Sequence, residues 1–513
     1  MSKEKDLAKR ISRRQFVKGA AVGAGALAAG SVLASCRPEV DPEVGIPETW
    51  DEEADVVIIG AGGAGIVAAI EVAEAGASVL VLEKAPVVGG TTAVSGGVIQ
   101  GSNTVVQRAV GIDDDSPEKH FQYWMMASEE QADRELVRLM ADNSGANIQW
   151  LIDQGMEFVE ELGGVSPIPY MDSDLMVDRI HRPGVAGEPV RGDRFVAVLY
   201  EAAQDKGAEF LLETSVVGLV RHPENGVIGV RAESEGQEIS VKANRAVILA
   251  TSSFDYNEEM ARAFSLQQWW ALKTGSCECA PTNTGDGIKM AMEIGADLAG
   301  MGGTICTPRP SIGQATAPGV WVNLYGQRFV NEAAHYAFAT RAVFHQEQSL
   351  AYAIFDDKVR EEASPALGWS DDLSDEIAAG VVTTGETLAA LAQTLGVNAA
   401  ELEATVEKWN EDVEADEDTL YGKTVGLQAI DEGPYYASQI VSRNLGSHGG
   451  VRINTDAQVL DVRDEVIPRL YAGGMVAGGY VGAYYPGSGT AIAGAVCFGR
   501  IAGQEAATEE AWS

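Results

Sequence analysis

Two stretches carry residue types and spacings that could do chemistry. The first is Ala483-Tyr-Tyr-Pro-Gly-Ser-Gly-Thr-Ala-Ile-Ala-Gly494, which sets two phenols directly ahead of a glycine-rich turn that reads as the start of a helix. A helix start presents backbone N–H groups that lack intrahelical partners. A phenol is neutral at pH 7, because its reference pKa is about 10. Such a stretch offers donors to an uncharged oxygen without needing a counterion. The second is Gly60-Ala-Gly-Gly-Ala-Gly65, a G-x-G-x-x-G run placed after Asp55-Val-Val-Ile-Ile59 and before the Ala-rich segment Ile66 to Ala75. Ser78-Val-Leu-Val-Leu82 follows as a further apolar strand, closed by Glu83.

Strand, tight turn, helix, strand and terminal acid together specify a dinucleotide site. Gly60 makes the turn, Gly62 lets the backbone approach a pyrophosphate, and Gly65 lets the helix pack on the strand. The helix N-terminus faces the phosphates, and Glu83 accepts hydrogen bonds from a ribose diol. A second run of glycines and hydroxyls, Gly89-Gly-Thr-Thr-Ala-Val-Ser-Gly-Gly97, continues along the cofactor toward a flavin. Ala246-Val-Ile-Leu-Ala-Thr251 reads as another buried strand ending in a small polar turn. Thr284-Gly-Asp-Gly287 adds a carboxylate in a tight loop, and Leu470-Tyr-Ala-Gly-Gly474 precedes the tyrosine stretch. Only one dinucleotide fingerprint is present, so no separate nicotinamide-binding domain is expected.

In this combination the chain, over residues 52–510, resembles the flavoprotein subunits of fumarate reductase and succinate dehydrogenase and their relatives, among them 3-ketosteroid dehydrogenases and urocanate reductases. The resemblance implies noncovalent FAD, contacted by Ala64, Glu83, Thr91, Thr92, Gly96 and Gly97, then by Asp286, Ala491 and Ile492. Lys84, Gly90, Val217, Thr251 and Gly474 complete the expected cofactor-binding positions. Two departures stand out: the usual A-T-G-G turn is Ala250-Thr-Ser-Ser253, and Met475 replaces a common glutamate. No histidine lies in Gly89–Gly97 to form a histidyl-flavin bond.

The substrate half departs further. Gly326-Gln-Arg-Phe-Val-Asn-Glu332 matches the family's G-x-R-F-x-N-E segment, yet the position where fumarate reductases carry a proton-donating arginine is Tyr336. The substrate-gripping arginine near the C-terminus is replaced by Tyr485, and the clamp histidines by Gly446 and Thr307. A buried dicarboxylate needs paired cations, because an unpaired buried charge costs several kcal/mol. Arg443, Arg341 or Arg182 could still supply one charge, which leaves a monocarboxylate open. Tyr485-Pro-Gly-Ser-Gly489 resembles the ketosteroid dehydrogenase segment that binds a ketone through the phenol and the last glycine's N–H.

The implied reaction is hydride transfer from flavin N5 to the β-carbon of an enone or other C=C conjugated to a carbonyl. Tyr485 and Gly489 would hold the enolate oxygen and Tyr336 would protonate the α-carbon. Run backwards, it is the reaction of a 3-ketosteroid dehydrogenase. A fumarate- or urocanate-type reductase and a flavin electron carrier without its own substrate are the rival functions. The bland readings are Tyr485 as packing beside the flavin and Tyr336 as a surface helix residue. Tyr123, Tyr170 and Tyr484 are candidates for a third active-site phenol or for core aromatics.

The 513-residue chain is long enough for these elements with a full core, at 46% hydrophobic and 22% charged residues. The expected architecture is α/β: a Rossmann-like FAD-binding domain, 52–265 and 430–510, interrupted by an α+β capping domain, 266–429. Within the latter, Leu402, Val406 and Trp409 fall at helical spacing in a charge-rich region. Ser12-Arg-Arg-Gln-Phe-Val-Lys18, an apolar run to about Ala34, and Leu33-Ala-Ser-Cys36 read as a twin-arginine signal with a lipobox over 1–36, followed by a linker, 37–51. The apolar run is glycine-broken and short of the roughly 20 residues a span needs.

Removing residues 1–35 takes away seven basic and two acidic residues, leaving 30 basic, 73 acidic and a net charge of −43. That surface repels nucleic acid and anionic headgroups and suits a basic electron-transfer partner. The expected partners are a small-molecule substrate and a separate cytochrome or quinol dehydrogenase. The expected location is periplasmic or cell-surface, with the membrane touched only through a lipid on Cys36. No C-x-x-C metal or haem motif occurs; Cys277-Glu-Cys279 admits a cluster-ligand pair or two buried thiols.

Overall fold

Val56–Ile59, Val79–Leu82 and Ala246–Leu249 are continuous apolar runs because both faces of their sheet are covered, as parallel α/β sheets require. The computed structural model describes residues 46–512 except 166, 169, 186, 188, 310–318, 362–368 and 483. The segment read as a twin-arginine signal with Cys36 lies outside the described residues. Pro47–Ser513 forms one compact unit.

Its first sheet has eight strands. The parallel core runs Val466–Ala472, Gln237–Leu249, Glu52–Ile59, Val79–Leu82 and Glu209–Leu211, with Gln458–Leu460 antiparallel at one edge. The hairpin Thr214–His222 and Gly226–Ser234 pairs antiparallel with the first half of Gln237–Leu249. The helix Gly63–Glu74, buried along almost its whole length, packs with the C-terminal helix Thr490–Thr508 in the main core. Both helices begin at the carboxyl side of the sheet, where ligands bind in such folds.

The second sheet pairs Val320–Val322, Ala351–Asp356, Tyr435–Arg452 and Val382–Gly385, and the long strand Tyr435–Arg452 also pairs with Leu298–Arg309 and Ala477–Gly478. After Arg452 the chain rejoins the nucleotide sheet at the strand Gln458–Leu460. The long strand stays continuous because its hydrogen-bond ladder passes from one neighbour to the next, Ala351–Asp356 beside Tyr435–Ile440 and Leu298–Arg309 beside Val441–Val451. The helix Ala399–Glu414 buries Leu402, Val406 and Trp409 against this sheet and leaves its acidic face to solvent.

The G-x-R-F-x-N-E segment is held by a buried ion cluster. Arg328 forks onto Glu332 at 2.9 and 2.8 Å and onto Asp418 at 3.0 and 2.9 Å. Lys423 completes it, 3.6 Å from Glu332 and bonded to the Gly319 carbonyl at 2.9 Å. Buried charges persist only when paired this fully, and the pairing sets the start of the helix Tyr336–Phe344.

Candidate active site

A cavity of about 560 Å³ runs from Glu83 and Lys84 at one end to Tyr336, Arg443 and Tyr485 at the other. At the first end the chain turns back on itself. A Cβ at Gly65 would lie 1.9 Å from the Gly60 carbonyl oxygen, so only glycine lets the helix start this close to its strand. The amide of Gly63 donates to Thr92 Oγ1 at 3.2 Å, tying the helix N-terminus to the second glycine run. Glu83 is buried, lines the cavity and accepts from the amides of Ala61 and Ala85, each at 2.8 Å, which leaves each oxygen able to accept once more. Lys84 bridges Thr284 Oγ1 at 2.7 Å and Asp286 at 2.6 Å across the mouth.

Of the expected cofactor positions, Gly60, Gly62 and Ala64, then Glu83 and Lys84, then Gly90, Thr91, Thr92, Gly96 and Gly97 line this cavity. Thr251, Asp286, Gly474, Ala491 and Ile492 join them from the distant parts of the chain. Two do not. Gly65 lies beneath the turn, where it packs helix on strand. Val217 is 46% exposed, because alternation along Thr214–His222 turns Val216 inward and Val217 outward.

The residues present fit FAD on their own evidence. Thr251 Oγ1 is buried in the lining with no protein partner, open space surrounds Gly96, and the nearest atom to a Cβ at Gly62 is 3.9 Å away. A helix N-terminus stands ready for phosphates and a buried acid for a ribose.

At the other end, Tyr485 is buried and its Oη accepts the Ala491 N–H at 2.8 Å. The hydroxyl proton is thereby left to donate elsewhere. Burial raises this phenol well above its ordinary range, outweighing the bonds from Ala491 and Thr490 that lower it. The turn beneath is rigid: Gln100 Nε2 donates to the Ser488 carbonyl at 3.2 Å and Tyr123 donates to the Pro486 carbonyl. Gly489 has φ +92°, and a side chain there would press within 2.7 Å of the Gln100 amide nitrogen.

Tyr336 opens its helix, lines the cavity, and is raised well above its ordinary range by burial and then by the Tyr485 phenol beside it. The preceding His335 stacks on its ring at 4.4 Å, caps the helix through Nδ1, and is kept neutral by burial, which lowers it to about 3. Arg443 also lines this end, its Nε on Thr307 Oγ1 at 2.9 Å and one Nη on Glu278 at 3.2 Å. Gly446 and Thr307 line it as well. The other two arginines stand outside the lining: Arg182 pairs with Glu161 at 2.9 Å, and Arg341 lies 4.9 Å from the Tyr484 ring centroid.

Tyr123, Tyr170 and Tyr484 are not among the residues lining the cavity. Tyr123 is fully buried, Tyr484 stacks on Phe338 at 3.8 Å, and Tyr170 is half exposed with its hydroxyl on the Met126 carbonyl. Asp255, Asn283, Ser447 and Ser488 also line the cavity and escape sequence reasoning. Their only signal is position, after a strand end or inside the C-terminal turn. His335 escaped too, since a histidine before a helix reads as a cap.

The FAD binding domain family matches residues 55–492. The chain belongs to it. This flavoprotein is 32% identical over 468 residues to a probable fumarate reductase of Shewanella frigidimarina, covering 89% of this chain and 75% of the relative. It is 32% identical over 476 residues to a urocanate reductase of Eggerthella lenta, covering 90% and 76%. The solved structure of a 3-ketosteroid Δ4-(5α)-dehydrogenase from Rhodococcus jostii, in complex with 4-androstene-3,17-dione, is similar with a TM-score of 0.78 at 31% identity, covering 90% of this chain and 98% of that one. The flavoprotein is therefore an FAD-dependent oxidoreductase of the fumarate reductase type acting on CH–CH groups, with a Rossmann-like FAD-binding domain and a capping domain.

Proposed function

We propose that the flavoprotein reduces a C=C bond conjugated to a ketone, with a bulky, uncharged enone of the ketosteroid kind as substrate. The observation that carries this reading is the Tyr485 hydroxyl. It accepts the Ala491 amide, so its single proton is free to donate into a cavity where Tyr336 stands beside it and one arginine lines the wall.

FAD, bound without a covalent link, supplies the hydride when reduced. The protein's part is to hold the substrate carbonyl oxygen between the Tyr485 O–H and the Gly489 N–H. Preorganised donors of this kind are worth roughly 3 kcal/mol each to a developing oxyanion. Burial keeps both phenols protonated, so neither repels the negative charge gathering on oxygen. Tyr336 then delivers its proton to the α-carbon, an acid–base contribution of roughly 10²–10⁴-fold. In the reverse direction the same group abstracts that proton. Arg443 supports the second reading, an unsaturated monocarboxylate, because its guanidinium reaches the lining with one carboxylate partner.

The leader carries the folded enzyme through the twin-arginine route to the periplasm or cell surface, Cys36 takes a lipid, and a separate cytochrome or quinol dehydrogenase supplies electrons. A diacylglycerol mass on the Cys36 peptide from membranes checks the tether.

Anaerobic reduction followed by mixing with 4-androstene-3,17-dione, urocanate and fumarate in separate experiments tests the substrate class. Rapid reoxidation by the enone alone is expected. Rapid reoxidation by fumarate with no response to any enone would overturn the reading.

A further inference from the structure

Four cysteines occur among the described residues, and two of them stand together. The Sγ atoms of Cys277 and Cys279 are 3.8 Å apart. A disulfide needs about 2.05 Å between sulfurs and Cα atoms roughly 4.4–6.8 Å apart, a separation that residues i and i+2 in a bend supply. The two sulfurs need to approach by less than 2 Å, roughly one side-chain rotation. The backbone here can follow. Gly275 ends the helix Leu266–Thr274 in a left-handed turn, and the segment is tied to the long strand by Asn444 N to the Ser276 carbonyl and Glu278 N to the Asn444 carbonyl, each 2.8 Å, and by the Glu278 carboxylate to Arg443 at 3.2 Å.

The two thiols differ in the way a reactive pair requires. Cys277 is half-buried and open to a reagent, whereas Cys279 is buried against the Asp255 carboxylate. The bond shared with Cys279, followed by one from Gln268 Nε2 at 3.5 Å, holds the Cys277 thiol below its ordinary range. Thiolate fraction and access together select the attacking sulfur. Cys306 and Cys497 are buried and raised, to about 11 and about 12, which leaves them inert.

We propose that Cys277 and Cys279 form a reversible dithiol–disulfide pair that exchanges with low-molecular-weight disulfides. The Cys277 thiolate attacks one sulfur of the small disulfide and expels one thiolate, forming a mixed disulfide. Cys279 gives up its proton to the expelled thiolate, and its sulfur displaces the second thiolate from Cys277, which takes its proton from water, closing the ring. Two protein thiols are oxidised and the small disulfide is reduced to two thiols. The residue enclosed in the ring, Glu278, is the one that bonds Arg443 in the cavity wall, and Ala280 next to it donates to Thr91 Oγ1 at 3.1 Å. The pair thus sits between the cofactor and substrate ends of the cavity.

The experiment is thiol trapping on the intact flavoprotein. After incubation with glutathione disulfide, the sample is acid-quenched, alkylated under denaturing conditions and digested. The peptide holding Cys277 and Cys279 is expected about 2 Da lighter than its reduced form, with neither sulfur alkylated, and restored by dithiothreitol. Cys306 and Cys497 are expected to alkylate fully. In Cys279→Ser the reaction is expected to stop at glutathione on Cys277. Two free thiols after incubation, or glutathione persisting on Cys277 in the native sequence without ring closure, would each overturn the proposal.

Discussion

At the nucleotide end of the cavity, Gly60 to Gly65 and Glu83 come from one strand–helix–strand unit and act through backbone amides and one buried acid. At the substrate end, Tyr336, Arg443 and Tyr485 come from a helix start, the middle of an 18-residue strand and a C-terminal turn, and they act through side chains. The first end is fixed by steric necessity and tolerates little. The second is a set of side chains on a frame that stays the same when they change. This is how relatives with the same architecture come to act on fumarate, on urocanate or on ketosteroids.

If the two ends are separable in this way, variants should sort into two groups. The largest effect is expected at Gly65. A valine there drives a side chain into the Gly60 carbonyl, so Gly65→Val should purify without flavin colour and unfold at lower temperature. Retention of full FAD absorbance would break the division. Next comes Tyr336→Phe, which should keep its flavin yet lose roughly 10²–10⁴-fold in reoxidation by an enone. A carrier with no substrate of its own would instead keep its rate with every acceptor. Tyr485→Phe should also keep its flavin and lose roughly 10²–10³-fold, the cost of one oxyanion donor. A smaller change is expected for Arg443→Gln: under about tenfold with a neutral enone, because a guanidinium already paired with Glu278 gains little from an uncharged group. A collapse with the enone would favour the carboxylate reading.

The sequence-legible part of the site follows from the same contrast. The glycines and Glu83 could be read because a backbone turn demands residues in a fixed order over a short span. Tyr485 and Gly489 share one continuous turn, and Tyr336 follows a motif whose Arg328–Glu332 pair is itself structural. Asp255, Asn283, Ser447 and Ser488 could not be read, since small polar residues in loops carry no spacing signal. Val217 comes from the resemblance alone, and alternation along Thr214–His222 turns its side chain outward while Val216 lines the cavity. The end of the capping segment carries no sharp signal of its own, because Tyr435–Arg452 is one unbroken strand.

A further effect, on the pH dependence of stability, belongs to the frame. Burial lowers His335 to about 3, and His181 and His448 to about 4. In the unfolded chain a histidine takes up its proton near pH ~6.5. Below that pH the unfolded state binds protons that the folded state declines, so stability is full above about 6.5 and is lost as pH falls toward 4. Melting temperature measured across this window should decline, whereas a flat profile would mean that these rings are solvated.

The carbonyl stretch of an enone bound to the oxidised flavoprotein, followed by difference infrared spectroscopy, reports directly on what Tyr485 touches. With the phenol and the Gly489 amide on its oxygen, the stretch should fall well below its value in apolar solvent and recover most of the way in Tyr485→Phe. A stretch that is unshifted, or shifted equally in both proteins, contradicts a ketone held by Tyr485.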